Sequence, residues 1–246
     1  MTEQDRARQD TQAAFLLHSY PYRETSLVIE TITRSHGRVA MVARGARRPR
    51  SALRGVLLAF QPLLVSWSGR GELRTLHKAE WQGGLPQLKG EALLCGFYLN
   101  ELLLKLLARD DPHEQLFEVY EQTLQALAGG AARDVTLRRF ERQLLRELGY
   151  ALSLERDAAS GAPIVAERSY SYWVEGGPVS VAGGGNSAVP NRLELNGRTL
   201  LDMARDDYSN AVTLQQSKAL MRMLINHYLG NQMLNTRQLL KDLQQL

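Results

Sequence analysis

A single cysteine, Cys95, in 246 residues excludes an internal disulfide framework and any zinc site built from several thiolates. No run approaches the roughly 18 to 20 apolar residues of a membrane helix. The opening residues Met1-Thr2-Glu3-Gln4-Asp5-Arg6 lack the apolar centre of a secretion signal. A soluble, cytoplasmic chain with a reduced thiol is expected. There is no G-x-x-x-x-G-K-[ST] phosphate loop and no H-E-x-x-H. The histidines His18, His36, His77, His113 and His227 are scattered, and no pair has metal-ligand spacing. The acidic pairs Asp110-Asp111 and Asp206-Asp207 fall at predicted helix ends, where capping accounts for them. No catalytic residue, metal site or cofactor is read, so a binding protein is expected rather than an enzyme.

The most telling absence is of negative charge. Between Glu30 and Glu72 there is no acidic residue, yet there are eight arginines: Arg34, Arg38, Arg44, Arg47, Arg48, Arg50, Arg54 and Arg70. The net charge of +4 and the pI of 9.3 are thus concentrated in one early segment. Like charges repel, so clustering costs stability unless it serves a purpose, and a phosphate backbone is the partner such a face suits. The alternative is a solvated arginine-rich surface. Aromatic residues interleave with this segment: Tyr20, Tyr22, Phe60, Trp67 and Trp81. Phe60 and Trp67 read as barrel core, whereas Tyr20 and Tyr22 flank Pro21 and are expected to be accessible to bases.

Residues 1–12 read as a loose tail. Short apolar or β-branched runs at 13–19, 25–33, 38–44, 57–68 and 72–81, cut by turn residues, predict five strands and a small OB-type barrel over 13–82. Pro62, inside the fourth run, marks an edge or bulge. Strand parity places Val39, Met41 and Ala43 on one face and Arg38 and Arg44 on the other; Arg74 and Lys78 likewise share a face. Gly83, Gly84 and Pro86 open a helical region over 83–246. Asp111-Pro112-His113-Glu114 reads as a helix start with Asp111 as cap, and Gly149 as a helix stop. Within the third helix Arg138, Arg142 and Arg146 recur at i, i+4, i+8, with Arg139 beside them. Residues 150–195 form an irregular insertion with a hairpin around Gly176-Gly177-Pro178 and a glycine-rich loop at 183–187. Thr213 reads as the start of a capping box, and Thr236 as the cap of a last helix. The fold class is α+β: an N-terminal five-stranded OB-fold barrel followed by a mainly α-helical domain.

The segment Ser35-His36-Gly37-Arg38-Val39 through Val42-Ala43-Arg44-Gly45-Ala46-Arg47-Arg48 resembles the N-terminal signature of the RecO family of bacterial DNA repair proteins. Tyr22-Arg23-Glu24-Thr25-Ser26-Leu27, Phe60-Gln61-Pro62, Tyr98-Leu99-Asn100-Glu101-Leu102-Leu103 and Leu137-Arg138-Arg139-Phe140-Glu141 with Leu148-Gly149-Tyr150 are similar to further family motifs. Singly these are weak, but their order and spacing are specific over about residues 13–150. Beyond that, matches are scattered and include Tyr228-Leu229-Gly230. The resemblance implies binding of single- and double-stranded DNA, annealing of complementary strands, and work with RecR in loading RecA onto DNA coated by the single-strand binding protein SSB. It implies a nucleoid-associated location and docking of SSB's acidic C-terminal tail on the helical domain, for which Arg138, Arg139 and Arg142 are the candidates. The alternative for these arginines is pairing with Glu141 and Glu147 on a solvated face. Candidate DNA-binding residues are the eight arginines of the acid-free segment with Arg74 and Lys78. Many members of the family carry two C-x-x-C pairs after the Gly-Tyr motif. Leu154-Glu155-Arg156-Asp157-Ala158-Ala159-Ser160-Gly161 has none, so zinc is not expected and packing alone is expected to hold this segment. Readings from other classes are a metal-dependent nuclease using Asp206 and Asp207, and an RNA-binding adaptor on the same barrel.

Overall fold

The structure, a computed structural model, describes residues 8–181, 192–230, 232–236 and 238. The chain forms two compact units, Met1–Ala131 with Leu234–Leu246, and Ala132–Met233. The division does not fall at Gln82, where the sequence period changes, because the first two long helices pack into the barrel's own unit.

Five strands, β1 (Gln9–Tyr22), β2 (Ser26–Thr33), β3 (Gly37–Ala43), β4 (Pro62–Ser68) and β5 (Arg74–Trp81), close a barrel in the order β1-β2-β3-β5-β4. The long β1 pairs on both edges, so that Ala14 lies opposite Thr33 of β2 and Leu63 of β4. A short parallel pairing, Met41 with Arg74 and Val42 with Thr75, joins β3 to β5. Val39, Met41 and Ala43 point inward with Ile29, Val65 and Trp67, as their parity requires. Phe60 is also buried. Two limits shift. Gln9 already pairs with Trp67, so residues 9–12 are strand rather than tail, and residues 1–7 lie outside the described residues. The run at 57–61 forms no strand and meets the sheet through an isolated bridge from Ala59 to Leu16 of β1. A short helix α1 (Leu53–Val56) precedes it, and β4 begins at Pro62, where the missing N–H removes no interior ladder bond.

Helices α2 (Gly90–Leu106) and α3 (Glu114–Ala128) cover the outer side of β1. Asn100 donates to the Leu17 carbonyl at 2.8 Å and accepts from the Tyr120 hydroxyl at 2.5 Å. Phe15 packs against Phe117 and Tyr120 at centroid distances of 5.5 and 5.3 Å. Burial raises the pKa of the Tyr120 phenol, which stays a donor. Asp111 is not a helix cap: α3 starts at Glu114 with His113 in the cap position. The chain is still tied to β3 just before, since the Asp110 N–H donates to the Arg38 carbonyl at 3.0 Å. The Glu101 carboxylate reaches the far end of the chain, accepting from the N–H groups of Asn235 at 2.7 Å and Thr236 at 2.9 Å and from the Thr236 hydroxyl at 2.7 Å. A distant carboxylate thus caps the segment assigned to Thr236, and residues 239–246 lie outside the described residues.

The second unit comprises α4 (Arg133–Glu147), a three-stranded sheet of β6 (Ser169–Trp173), β7 (Gly177–Ser180) and β8 (Arg192–Asn196) in the order β7-β6-β8, and helices α5 (Gly197–Ala204) and α6 (Ala211–Tyr228). Gly149 stops α4 at φ +84°, with its N–H on the Arg146 carbonyl and that of Tyr150 on the Leu145 carbonyl, the paired bonds of a Schellman ending. Tyr150 then stacks on Tyr228 at 3.8 Å, which joins two of the motifs quoted above. β8 stands at the end of the expected irregular insertion, where Leu193 and Leu195 alternate with Arg192 and Glu194, and the 183–187 loop lies outside the described residues. Thr213 is not a cap either. Asn210 caps α6 by accepting from the Val212 N–H at 2.8 Å, while the buried Thr213 hydroxyl donates to Asp202 at 2.7 Å.

The segment after Tyr150 is held by more than packing. Buried Asp157 accepts from the N–H groups of Ala159 and Ser160 through Oδ1 and of Ser180 through Oδ2, at 2.7 to 2.9 Å. Its own N–H donates to the Ala162 carbonyl, and that of Ala158 to Pro178, so one carboxylate ties the loop to the β6–β7 hairpin. The donated amide bonds, that of Ser160 first, lower its pKa from 3.8. A carboxylate lowered on folding stabilises above its unfolded pKa and loses that contribution as pH falls through the folded one. Asp157→Ala is expected to lower stability by about 2–4 kcal/mol at pH 7, with the gap to wild type closing as pH drops below about 4. Urea melts across pH check this, and a gap independent of pH would refute it.

Candidate nucleic-acid interface

The structure sorts the basic residues into two sets. Arg34 pairs with Glu118 at 2.7 Å and Glu114 at 3.7 Å, with its guanidinium 5.1 Å from the Phe117 ring centre. Arg38 lies outside the barrel wall but under α2, donating to the Leu104 carbonyl and 3.9 Å from Glu30, which Arg109 also pairs. Burial pulls the Arg38 pKa down, against the pull of Glu30. Arg74 pairs with Asp110 at 2.6 Å over Trp67, and exposed Lys78 with Glu80 at 2.9 Å. The other set, Arg44, Arg47, Arg48, Arg50, Arg54 and Arg70, is exposed and makes no ion pair among the described residues. Parity could tell inward from outward but not which outward arginines the helices would cover.

The exposed set stands mostly on the connection from β3 to α1, which is anchored rather than free. Ala46 is buried in the barrel core. The Arg47 N–H donates to the Thr25 carbonyl at 2.8 Å, the Arg48 N–H to Gly45 at 3.0 Å and the Ser51 N–H to Arg48 at 3.0 Å. Gly45 takes φ +68°, a conformation that glycine enters at no steric cost. Register brings the β1–β2 turn alongside: Tyr22 pairs with Ser26 and Leu27 with Ala43, so Arg44 follows beside Ser26. The result is a cleft of about 300 Å3 lined by Tyr22, Arg23, Ser26, Arg44, Gly45 and Arg48. Arg23 is absent from the candidates above because Glu24 and Glu30 set it apart from the acid-free run. The signal that could have found it is the Tyr22-Arg23 pair in a tight turn. Of the other aromatics, Tyr20 and Trp81 are exposed, and the Trp81 indole N–H donates to Gln61 at 3.0 Å.

On α4 the expected arginine stripe winds out of the interior. Four residues advance a helix by 400°, so each step drifts about 40°. Arg138 is buried and paired with Glu141 at 2.5 Å, Arg142 is half-buried, and Arg146 is exposed. Arg138 thus points inward with one nitrogen on Glu141, and the Glu147 carboxylate accepts from the Gln143 amide at 2.9 Å. Arg139 and Arg142 converge on Asp206 at 2.8 and 3.6 Å, and Arg142 also donates to the Tyr208 hydroxyl at 3.4 Å. Asp207 accepts from the Ser209 N–H at 2.9 Å. Both carboxylates of the nuclease reading are thus engaged in local contacts. Among the described residues no cluster of three metal-ligating side chains occurs, and no helix is long and apolar enough to cross a membrane.

A closed five-stranded barrel of this strand order is of the OB type, and it carries an arginine face without ion pairs among the described residues. Comparison with known proteins makes the assignment narrower. Residues 8–84 match the family model Recombination protein O N terminal, and residues 87–238 match Recombination protein O C terminal. The chain is similar to DNA repair protein RecO of Nitrosospira multiformis, 56% identical over 98% of this chain and 99% of the relative. It is similar also to DNA repair protein RecO of Aromatoleum aromaticum, 56% identical over 97% of this chain and 98% of the relative. DNA repair protein RecO of Burkholderia pseudomallei is 56% identical over 96% of this chain and 84% of that protein. The chain belongs to the RecO family of DNA repair proteins.

The anchored turn carries its own test. Gly45→Val forces a β-branched residue to φ +68°, with its Cβ 3.4 Å from the Arg48 side chain. A loss of about 1–3 kcal/mol is expected in urea unfolding; an unchanged midpoint would mean that the turn does not need this conformation.

Proposed function

We propose that this chain is a non-enzymatic recombination mediator. It binds single- and double-stranded DNA through phosphates, anneals complementary strands and works with RecR to load RecA onto SSB-coated DNA. The observation that carries the reading is the set of exposed arginines without acidic partners on an anchored turn, in a chain of the RecO family. Guanidiniums aimed at phosphates position a strand without reading bases, and screening of phosphate repulsion lets two strands meet. The convergence of Arg139 and Arg142 on one carboxylate supports a second element: a carboxylate of the acidic C-terminal tail of SSB takes the place of Asp206 there, in a charge-assisted contact. Arg138, paired in the interior, has no part in it.

Reversal of Arg44, Arg47 and Arg48 to Glu is expected to abolish annealing while the chain stays folded by far-UV circular dichroism; a folded triple variant that still anneals would refute the reading. If about five arginines each meet a phosphate, log K on single strands should fall against log salt with a slope of roughly −3.5. RNA competing as well as DNA would assign an RNA adaptor instead. For the tail, annealing of SSB-coated strands is expected to fail with SSB lacking its acidic tail and with Arg139→Glu. Equal annealing with either SSB would remove the docking element.

A further inference from the structure

The cleft between the β1–β2 turn and the start of the β3–α1 connection has a composition that phosphate binding alone does not call for. Three guanidiniums, Arg23, Arg44 and Arg48, line it with no carboxylate among the lining residues. Arg44 and Arg48 come from the basic connection, but Arg23 comes from the opposite wall and stands 5.2 Å over the centre of the Tyr22 ring. Arg23 holds a left-handed backbone, φ +50°, a conformation that non-glycine residues rarely adopt. It is braced there: Arg47 donates from its side chain to the Arg23 carbonyl at 3.3 Å and from its backbone to the Thr25 carbonyl at 2.8 Å. The Ser26 hydroxyl accepts the Gly45 N–H at 3.4 Å, which links the two walls across the floor. A cation placed only for long-range attraction to phosphates needs neither a strained backbone nor an aromatic partner.

The geometry points to a site for one nucleotide of a single strand, with its phosphodiester between Arg44 and Arg48 and its base on the Tyr22–Arg23 pair. A guanidinium is planar and can take a base on a face while its charge lies over a phenol ring. A base paired in a duplex is already stacked on both sides and has no face to give. The cleft therefore favours unpaired strands, and the more so the fewer of their bases are occupied. This inference rests on the DNA-binding reading above and adds to it a ligand class for one named cleft.

The test separates charge from stacking, with fluorescence anisotropy of two labelled single strands of equal length, one bearing bases and one abasic, across a salt series. Wild type is expected to prefer the base-bearing strand by between about 5- and 150-fold. Arg23→Lys keeps the charge and loses the plane; it should abolish that preference and leave the salt slope unchanged. Tyr22→Leu should do the same. Arg48→Gln should make the slope shallower by about 0.7 and keep the preference. Thermal melts establish that each variant is folded. Preference retained in Arg23→Lys, or slope and preference lost together in every variant, would overturn the inference. Binding of both strands alike by wild type would overturn it too while leaving the phosphate reading in place, whereas no binding by wild type would overturn the function itself.

Discussion

Eight guanidiniums on a stretch without a carboxylate repel one another, and the arrangement of the first unit follows from where that repulsion is relieved. Three of the acids come from outside the barrel, Asp110 before α3 and Glu114 and Glu118 on it, and one, Glu30, from β2 itself. The three neutralise Arg74 and Arg34, while Glu30, the last acid before the gap, holds Arg38 and Arg109. The exposed pairs add little stability each. Their larger effect is on the field, because they cancel the charge on the helix-covered side of the barrel and leave the connection after Ala43 as its positive end. Adding helices to a basic barrel thus turns a diffuse charge into a directional one.

The positive end is also preorganised. Arginine side chains lose several rotors when they bind, and a mobile loop would add the ordering of its backbone. Here the backbone cost is met during folding, through buried Ala46 and the bonds from Arg47, Arg48 and Ser51. What remains mobile is the side chains, and that suits a partner whose phosphates recur but whose sequence varies.

Local periodicity carried most of the fold. The inward set Val39, Met41, Ala43 and the stop at Gly149 were legible because parity and backbone sign act within a few residues. Three features were not. The burial of Arg138 depends on the 40° drift of the i, i+4 row and on what covers α4, and neither is a property of the arginine. Arg23 joins the cleft through strand register, which brings residues from the β1–β2 turn and from beyond β3 together across Ser26 and Leu27. Asp157 looked like an ordinary loop acid; its role appears only once the Ser180 amide has been folded onto it. The same holds for the unit boundary: Gln82 marks a true change of period, but Asn100 and Tyr120 bind the next two helices to β1.

The carboxylate of Glu101 adds an order of events. Its amide donors lie 134 and 135 residues later in the chain. During synthesis the barrel and its two helices leave the ribosome long before those donors exist, and the whole second unit is made in between. Until then Lys105, one turn along α2, balances the charge. The tie that closes the first unit thus waits on residues made after the whole second unit, so the barrel and its two helices exist before the contact that joins them to Asn235 and Thr236.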